Sequence, residues 1–187
     1  IMAELERLHS HLLWAGVAAE LIGFQTLFME VFALREQVMD VLEAISGNRV
    51  NYAMNCIGGV NRDIRDPDAI LSAVRNTREV LERDVVSVFL RNPTVRARTE
   101  GVGVLSRQDA LDYGVVGPVA RASGLATDMR SDRPYLVYGE LDFRIVTATE
   151  GDVRARVVVR ALEILESVRL IERALEQLPR SAIGVAS

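Results

Sequence analysis

The chain has 187 residues, 49% of them hydrophobic, and carries a formal net charge of −4. This acidic balance argues against a nucleic-acid-binding protein, because such proteins present a basic surface to the phosphates. All 22 basic residues are arginine, so Schiff-base catalysis and P-loop phosphate binding, which both need a lysine amine, are excluded. The single cysteine, Cys56, has no partner for an intramolecular disulfide, and a cytoplasmic location is therefore expected.

The beginning of the chain has the pattern of two helices. Apolar residues recur every three or four positions and predict a stripe on one helix face, formed by Leu5, Leu8, Leu12, Ala15, Ala19 and Ile22. Gly23 predicts a break, and a second helix follows from Thr26 to about Ser46, with Gly47 as its stop. Because this periodicity already runs at Leu5 with no leader before it, the chain is expected to be the central segment of a longer protein.

Residues 12–34 are apolar enough for a membrane span to be considered. Glu20 and Glu30 interrupt the stretch, and a carboxylate near the centre of a bilayer costs roughly 3 kcal/mol. We therefore predict two helices buried inside a larger bundle rather than a membrane span. An isolated chain would leave their apolar faces uncovered, so it is expected to associate with itself.

Residues 48–63 contain β-favouring residues around Tyr52 and then a pair of glycines, which predicts a short strand and a turn. A third helix is predicted next, with Asp66 as its N-cap and Pro67 in its first position. The dipeptide Asn92–Pro93 is expected to end this helix, since the residue before proline disfavours helical geometry.

The remainder of the chain predicts a short helix from Ser106 to Gly114, one or two short strands within residues 135–149, and a long helix over residues 152–178. One side of the last helix is apolar. The other side is predicted to be solvated or to contact a partner, and it carries Arg160, Glu163, Glu166, Arg169, Glu172 and Arg173. Together the elements predict a mainly α fold class, a multi-helix bundle with a small β element, in which residues 1–187 form a single domain.

Few patterns indicate catalytic or metal chemistry. His9 and His11 lie about 200° apart around a helix axis, so they cannot share one metal, and one packed and one exposed histidine is expected. Cys56 lies in an apolar run, which predicts a buried, inert thiol. The sequence Gly-Val-Gly at residues 101–103 lacks the third glycine and the βαβ context of a dinucleotide-binding loop. The sequence predicts no catalytic residue and no metal ligand in this chain.

Two groups of charged residues remain. Glu36, Asp40 and Glu43 share one helix face, for which a solvated surface is expected. Residues 117–139 combine glycine and proline with charges that make the segment a candidate binding loop, namely Arg121, Asp128, Arg130, Asp132 and Arg133. Such a cluster forms either a salt-bridge network or a surface for a partner or a charged cofactor, and the sequence leaves these alternatives open.

Three blocks, which together cover essentially the whole chain, carry a resemblance to a known family. They are ERLHSHLL at residues 6–13 continuing to SGNR at residues 46–49, then NCIGGV at residues 55–60, and then residues 98–138. In this order they resemble the large subunit of membrane-bound energy-converting nickel–iron hydrogenases of the formate hydrogenlyase and CO-induced type. That subunit is homologous to the hydrogenase-like D subunit of NADH:quinone oxidoreductase, also called NADH dehydrogenase.

The resemblance implies an oxidoreductase of an electron transport complex. The parent protein would pass electrons between an iron–sulfur cluster on a neighbouring small subunit and either a nickel–iron centre or a quinone. It would lie on the cytoplasmic side of the cell membrane, bound to the membrane subunits of the complex, with NAD on a different subunit. The sequence HSHLL and Asn55 favour the hydrogenase branch. A non-catalytic scaffold module, with residues 117–139 docking partners, is the alternative of another class.

Three departures limit what the resemblance implies for these residues. The nickel ligands of the hydrogenase branch are two cysteine pairs on either side of this region, and Cys56 belongs to neither, so this chain is expected to bind no metal or cofactor and to be inactive alone. Asn51 takes the place of a histidine that lies near the neighbouring cluster in the respiratory branch. The quinone-contacting residues of that branch lie upstream of Ile1. The remaining candidates for cofactor contact are Arg121, Asp128, Arg130 and Arg133.

Overall fold

The computed structural model describes residues 1–178, and its first two helices form an antiparallel hairpin. Helix α1 covers Met2–Leu21 and helix α2 covers Gln25–Ser46. Gly23 reverses the chain with a φ of +81°, and Gly47 ends α2 with a φ of +80°, in the left-handed region that glycine reaches without strain. The predicted break and the predicted stop are both confirmed.

The apolar stripe of α1 forms the centre of the main hydrophobic core. Leu5, Leu8 and Leu12 are at most 2% exposed, and α1 packs against α2 and the C-terminal helix. The apolar residues 12–34 are divided between two helices by the turn at Gly23. Over residues 1–178, none of the helices has both the length and the apolar character that crossing a membrane would require.

A two-stranded antiparallel hairpin follows α2, formed by β1 (Asn55–Cys56) and β2 (Gly59–Val60). The predicted position of the strand around Tyr52 was wrong, because Tyr52 lies in an irregular segment before β1. The next residue, Ala53, has a φ of +44°, a conformation that cannot continue an extended strand.

The third predicted helix is a continuous rod with a π-helical interruption. In chain order its segments are α3 (Pro67–Val80), a π-helical segment (Leu81–Val86) and α4 (Ser87–Arg91), and α5 (Pro93–Thr99) comes next. Asp66 accepts the N–H of Ala69 at 2.9 Å, which confirms the predicted N-cap. Asn92 ends the rod as predicted and caps α5 by accepting the N–H of Thr94 at 2.8 Å.

Short elements fill the region between α5 and the last helix. They are α6 (Arg107–Asp112), α7 (Gly117–Ala122), α8 (Met129–Asp132) and a 3-10 turn (Tyr138–Glu140). Ser106 accepts the N–H of Asp109 at 3.0 Å, which confirms the predicted start of α6. The strands predicted within residues 135–149 were wrong. Leu136 and Asp142 each have a φ of +51°, and no strand of the described chain runs beside this segment to pair with it.

The last helix, α9 (Val153–Glu176), is the central element of the bundle. It packs against α1, α3, α4 and α7, and Asp152 caps it by accepting the N–H of Ala155 at 2.7 Å. The prediction that this face is solvated or contacts a partner was wrong for Glu163, which is 2% exposed, and for Glu166 and Glu172, which are 9% exposed, because other elements of the same chain pack on several sides of the helix. The predicted fold class, mainly helical with a small β element, is confirmed.

Candidate functional site

Eight polar side chains from distant parts of the chain meet in the interior between α1, α9 and residues 117–139. We call them the buried network, and they are Glu4, His11, Arg121, Asp128, Arg130, Tyr138, Glu163 and Ser167. Each of them is at most 9% exposed. Charged side chains are rarely buried unless they are paired, so the pairing within this network decides what the site can do.

Helices α1 and α9 place four of these side chains on facing surfaces. Glu4 and His11 lie about two turns apart on α1, and Glu163 and Ser167 lie about one turn apart on α9. The Ser167 hydroxyl donates to Glu4 at 2.6 Å, and His11 Nε2 hydrogen-bonds to Glu163 Oε2 at 2.7 Å. The two helices therefore run antiparallel, with their polar side chains in register.

Arg130 lies at the centre of the network. Its Nε and Nη2 donate to the two oxygens of Asp128 at 3.0 and 2.8 Å, and its Nη1 donates to Glu4 Oε1 at 3.0 Å. The guanidinium carbon lies 4.0 Å from the centre of the Phe143 ring. Asp128 is also the N-cap of α8 and accepts the N–H of Arg130 at 3.0 Å. One carboxylate thus serves both the helix cap and a bidentate ion pair.

Glu4 connects the first turn of α1 to three other segments. Its Oε1 accepts the Tyr138 hydroxyl at 2.5 Å as well as the guanidinium of Arg130. Its Oε2 accepts the Ser167 hydroxyl of α9. The start of α1, helix α8, the 3-10 turn and α9 are therefore joined at a single buried carboxylate.

Arg121 joins the two halves of the network. Its Nη1 lies 3.0 Å from Asp128 Oδ2, and its Nε donates to Glu163 Oε1 at 2.6 Å. Glu163 in turn bonds His11 through its other oxygen. An unbroken series of hydrogen bonds and ion pairs therefore extends from His11 to Tyr138.

The arginines and hydroxyl groups keep Glu4 ionised although it is buried. Burial alone would raise the pKa of Glu4, but the charge of Arg130 and the hydrogen bonds from Ser167 and Tyr138 outweigh burial and hold this pKa below its ordinary value. Burial, and then the hydrogen bond to Glu4, raise the pKa of Tyr138. The Tyr138 hydroxyl therefore stays protonated and remains a donor.

The other two carboxyl groups of the network behave in the same way. Burial would raise the pKa of Asp128, but hydrogen bonds from the side chain and backbone of Arg130 lower it below its ordinary value. Burial would also raise the pKa of Glu163, and hydrogen bonds from His11 and Arg121 lower it instead. The buried network thus contains three ionised carboxylates held by two guanidiniums, those of Arg121 and Arg130.

The network acts as a clamp that holds residues 117–139 onto α1 and α9. Within residues 1–178, the buried side-chain nitrogen and oxygen atoms without a hydrogen-bond partner are His9 Nε2 and Arg35 Nε, and neither belongs to the network. Removing one partner of a buried ion pair typically costs about 3–5 kcal/mol because the other charge is left uncompensated. This arrangement favours one fixed geometry of the loop.

The structure separates the candidate loop residues into two groups. Arg121, Asp128 and Arg130 belong to the buried network. Of the two alternatives left open by the sequence, these three residues therefore form the salt-bridge network. Asp132 and Arg133 are exposed, and Arg133 forms no salt bridge with any residue in the part of the chain that the structure describes. A role of these residues in cofactor contact stays a prediction.

Asn51 and the two histidines belong to the first third of the chain. Asn51 is exposed in the segment before β1, and its N–H donates to Asn48 Oδ1 at 3.3 Å. Its proximity to a neighbouring cluster stays a prediction. His11 is packed as expected, whereas His9 is half-buried rather than exposed. Burial, and then the charge of Arg35, lower the pKa of His9.

The prediction of a buried Cys56 was wrong, since its thiol is exposed on the small hairpin. A hairpin of two-residue strands has no second layer to cover its side chains. Among residues 1–178, no three histidine, cysteine, aspartate or glutamate side chains are grouped so that they could hold a metal ion. The Gly-Val-Gly segment of residues 101–103 contacts the start of α9. The Gly101 N–H donates to the Asp152 side chain at 2.7 Å.

The acidic face of α2 is solvated, as predicted, and it also has a cationic partner. Glu36, Asp40 and Glu43 all form ion pairs with Arg49, at 2.6 Å for Asp40 and 3.3 Å for Glu43. All four side chains are at least 34% exposed, so the contribution of these pairs to stability is small.

Sequence reasoning missed five members of the site, namely Glu4, His11, Tyr138, Glu163 and Ser167. One signal was available for Glu4, because it lies four residues before Leu8 and therefore on the face of the apolar stripe. A carboxylate on a buried stripe predicts a cationic partner. The identity of that partner, 126 residues away, could not be read from local spacing.

The fold and the buried network define a helical bundle whose central helices are joined by internal ion pairs. Residues 22–187 match the family model described as the respiratory-chain NADH dehydrogenase 49 kDa subunit, and the chain belongs to this family. The alpha subunit of the membrane-bound hydrogenase of Pyrococcus furiosus is 44% identical over 98% of this chain and 45% of its own length. The D 2 subunit of the NADH-quinone oxidoreductase of Sinorhizobium medicae is 40% identical over 99% of this chain and 46% of its own length.

A solved structure shares this fold. A chain of the membrane-bound sulfane sulfur reductase, an archaeal respiratory membrane complex, is 38% identical and superposes with a TM-score of 0.89 over 99% of this chain and 50% of its own. The family resemblance expected from the three sequence blocks is confirmed. The chain spans about half the length of the curated relatives named above.

Proposed function

We propose that the protein carrying this chain is the large subunit of a membrane-bound oxidoreductase complex of the hydrogenase branch. In this proposal it transfers electrons between an iron–sulfur cluster on a neighbouring small subunit and a nickel–iron centre, with hydrogen evolution. The observation that carries the proposal is the likeness to a respiratory complex subunit over 99% of the chain at a TM-score of 0.89. One relative that is 44% identical is named as a hydrogenase subunit, and the sequence HSHLL together with Asn55 favours this branch.

The residues of this chain have a supporting part in that function. The described residues offer one exposed cysteine and no grouped set of metal ligands, which does not fit a nickel–iron centre. In the proposal the centre is held by other parts of the protein. The buried network supplies a rigid frame instead, and the exposed side of residues 117–139, with Arg133, faces a neighbouring subunit of the complex.

A second candidate is the D-type subunit of an NADH:quinone oxidoreductase. It is supported by the matching family, which is described by that enzyme's 49 kDa subunit, and by the D 2 subunit of Sinorhizobium medicae, which is 40% identical. The identities of the two kinds of relative are close, so they do not separate the branches. In either case we place the protein at the membrane surface through contacts with the membrane subunits of its complex.

Metal analysis of the complete protein, matured in its native host, tests the proposal. We expect stoichiometric nickel together with iron, and release of hydrogen when the complex is supplied with a low-potential electron donor. A folded protein in a membrane complex that lacks nickel would overturn the hydrogenase assignment. Quinone reduction by that nickel-free complex would establish the second candidate, and the absence of both activities would point to a scaffold role.

A further inference from the structure

A half-buried arginine of α9 lies over the single tryptophan of the chain. The guanidinium carbon of Arg160 is 4.6 Å from the centre of the Trp14 ring. Trp14 also packs against Phe89 of the main core, with 6.4 Å between the ring centres. Because an aromatic face attracts a cation at this distance, the Trp14 ring is a platform that fixes the position of the guanidinium.

Arg160 has no carboxylate partner in the described part of the chain. It forms no salt bridge with any residue between 1 and 178, and its Nη1 donates to the carbonyl oxygen of Arg156 at 3.4 Å. Its Nε and Nη2 have no hydrogen-bond partner among the same residues. Both atoms reach solvent, because the fully buried unpaired side-chain atoms of this part of the chain belong to His9 and Arg35. Two donors of the guanidinium are therefore free to bind a ligand.

The carboxylate on the same helix is already in use. Glu163 follows Arg160 by three residues, but its two oxygens are bonded to Arg121 and His11. Burial lowers the pKa of Arg160, and the opposing charge of Glu163 does not outweigh burial. In Arg130, hydrogen bonds and charges of carboxylates outweigh burial and raise the pKa. The contrast shows that Arg160 is desolvated without the compensation that Arg130 receives.

A second cation lies beside this guanidinium. Arg156 is one turn before Arg160 on α9, and its Nη1 and Nη2 donate to the carbonyl oxygens of Gly151 and Gly103 at 3.0 and 2.6 Å. These carbonyls are neutral, so they hold the Arg156 side chain in place without cancelling its charge. Like charges at four-residue spacing destabilise a helix. An anion bound between the two arginines would remove this repulsion.

We propose that Arg160, with Trp14 beneath it and Arg156 beside it, binds a carboxylate group. The N–H groups of a guanidinium form a planar fork that matches the two oxygens of a carboxylate. This carboxylate belongs either to an acidic side chain elsewhere in the complex or to a small molecule in solution, and cross-linking separates these two sources. The site is formed by residues of this chain alone, so the proposal does not depend on the electron-transfer function proposed above.

Titration of the 187-residue chain with sodium acetate tests the site, with sodium chloride at the same ionic strength as the reference. Trp14 is the only tryptophan, so its fluorescence reports directly on the platform. We expect a saturable change in emission with acetate and a Kd in the millimolar range, because one guanidinium supplies the direct contact. A response that does not saturate, or one that chloride reproduces, would overturn the proposal.

Two variants of α9 test the assignment to Arg160. Arg160→Gln should weaken acetate binding at least about tenfold, the loss expected for a hydrogen bond to a charged group. Arg173→Gln is the matched control, since it removes the same charge at an exposed position about 20 Å further along the helix. Equal effects of the two substitutions, or unchanged binding in Arg160→Gln, would refute the assignment.

Thermal unfolding provides a second readout, because Arg160→Gln also changes the surroundings of Trp14 directly. A ligand that binds the folded state raises the midpoint of unfolding. Acetate should therefore raise the midpoint of the unmodified chain and of Arg173→Gln relative to chloride, and it should leave Arg160→Gln unchanged. The same rise in all three proteins would show that acetate acts elsewhere and would refute the site.

The source of the carboxylate is tested in the complete complex with Arg160→Lys. The chain contains no lysine of its own, so the introduced amine is a unique target for a carbodiimide, which condenses an amine with a contacting carboxylate into an amide and releases water. A cross-link to an acidic residue outside residues 1–178 would establish a protein side chain as the ligand. A cross-link to Glu163 would overturn the proposal, because the arginine would then have its partner within α9.

If no cross-link forms, modification of Arg160 by phenylglyoxal in the unmodified complex decides the outcome. Protection of Arg160 by added acetate would establish a small carboxylate as the ligand. Modification at the same rate with and without acetate would refute the carboxylate site in the complex. Neither result depends on nickel content or hydrogen release, so failure of this proposal is distinguishable from failure of the proposed function.

Discussion

The guanidinium of Arg130 donates to the carboxylate of Glu4 at 3.0 Å, although the two residues are 126 positions apart in the chain. This contact joins the first turn of α1 to the loop of residues 117–139, and both side chains are at most 4% exposed. Buried charges of this kind are strongly coupled, because each one compensates the desolvation of the other. The stability of the loop should therefore depend on residues at the very start of α1.

Replacing Arg130 by methionine should destabilise the fold by about 3–5 kcal/mol, because Glu4 and Asp128 would both lose a buried cationic partner. Urea unfolding followed by circular dichroism measures the change in the free energy of unfolding. Arg133→Met is the matched control, since Arg133 is exposed nearby, and it should change stability by no more than about 0.5 kcal/mol. Similar losses in both variants would contradict the assignment of Arg130 as the centre of the network.

Replacing Tyr138 by phenylalanine removes one hydroxyl donor and leaves the ring in place. We expect a loss of about 1.5–3 kcal/mol, since the hydroxyl donates to the charged Glu4 at 2.5 Å. Tyr135→Phe provides the control, because the Tyr135 side chain is 42% exposed and lies in the same loop. If thermal unfolding of the two variants were indistinguishable, the hydrogen bond to Glu4 would not contribute to stability.

The protein should lose stability in acid. Glu4, Asp128 and Glu163 have pKa values below their ordinary values, so their contribution is fully present above the unfolded pKa of about 4 and disappears as pH falls through the lower folded pKa values. Urea titrations between about pH 7 and about pH 3 should show a free energy of unfolding that is constant above pH ~5 and falls below pH ~4.

The Arg130→Met variant distinguishes the network from other carboxyl groups. Without this guanidinium, the pKa values of Glu4 and Asp128 rise toward or above those of the unfolded chain, so the dependence of stability on pH below pH ~4 should become shallower. An acid slope identical to that of the unmodified protein would mean that other groups cause the loss of stability.

Cys56 should react with a thiol reagent in the folded protein. Its thiol is exposed on the β hairpin, so labelling by 5,5′-dithiobis(2-nitrobenzoate) needs no unfolding. We expect complete labelling in native buffer at a rate close to that in urea, and none in Cys56→Ser. Labelling that occurs only after unfolding would show that the thiol is covered.

The exposed face of α1 predicts self-association of the isolated chain. Leu13, Val17 and Leu21 are 41%, 45% and 80% exposed and follow each other at four-residue spacing, which forms a continuous apolar stripe. Light scattering at rising concentration should show oligomers, and Val17→Glu should reduce them. Val102→Glu is the control, because Val102 is similarly exposed at 50% but lies in a loop. A monomer at all concentrations would contradict the prediction.

Much of the fold followed from local chemistry. The cap at Asp66, the stop at Gly47 and the start of α6 at Ser106 each depend on residues within one turn, so spacing alone predicts them. The strands expected within residues 135–149 are absent because strand formation depends on distant residues rather than on local ones. A strand needs a partner at hydrogen-bonding distance, and the residues nearby do not reveal whether one exists.

Periodicity, capping residues and ordered motifs specify the helices, their ends and the family without reference to the folded state. The burial of particular charges depends instead on the three-dimensional arrangement. Glu163 lies on the polar side of α9 in the sequence pattern, yet it is buried because Arg121 and His11 reach it from 42 and 152 residues away. Local patterns cannot report such contacts, since a carboxylate is stable in the interior when its partners arrive from other elements, and that arrangement exists only in the folded chain.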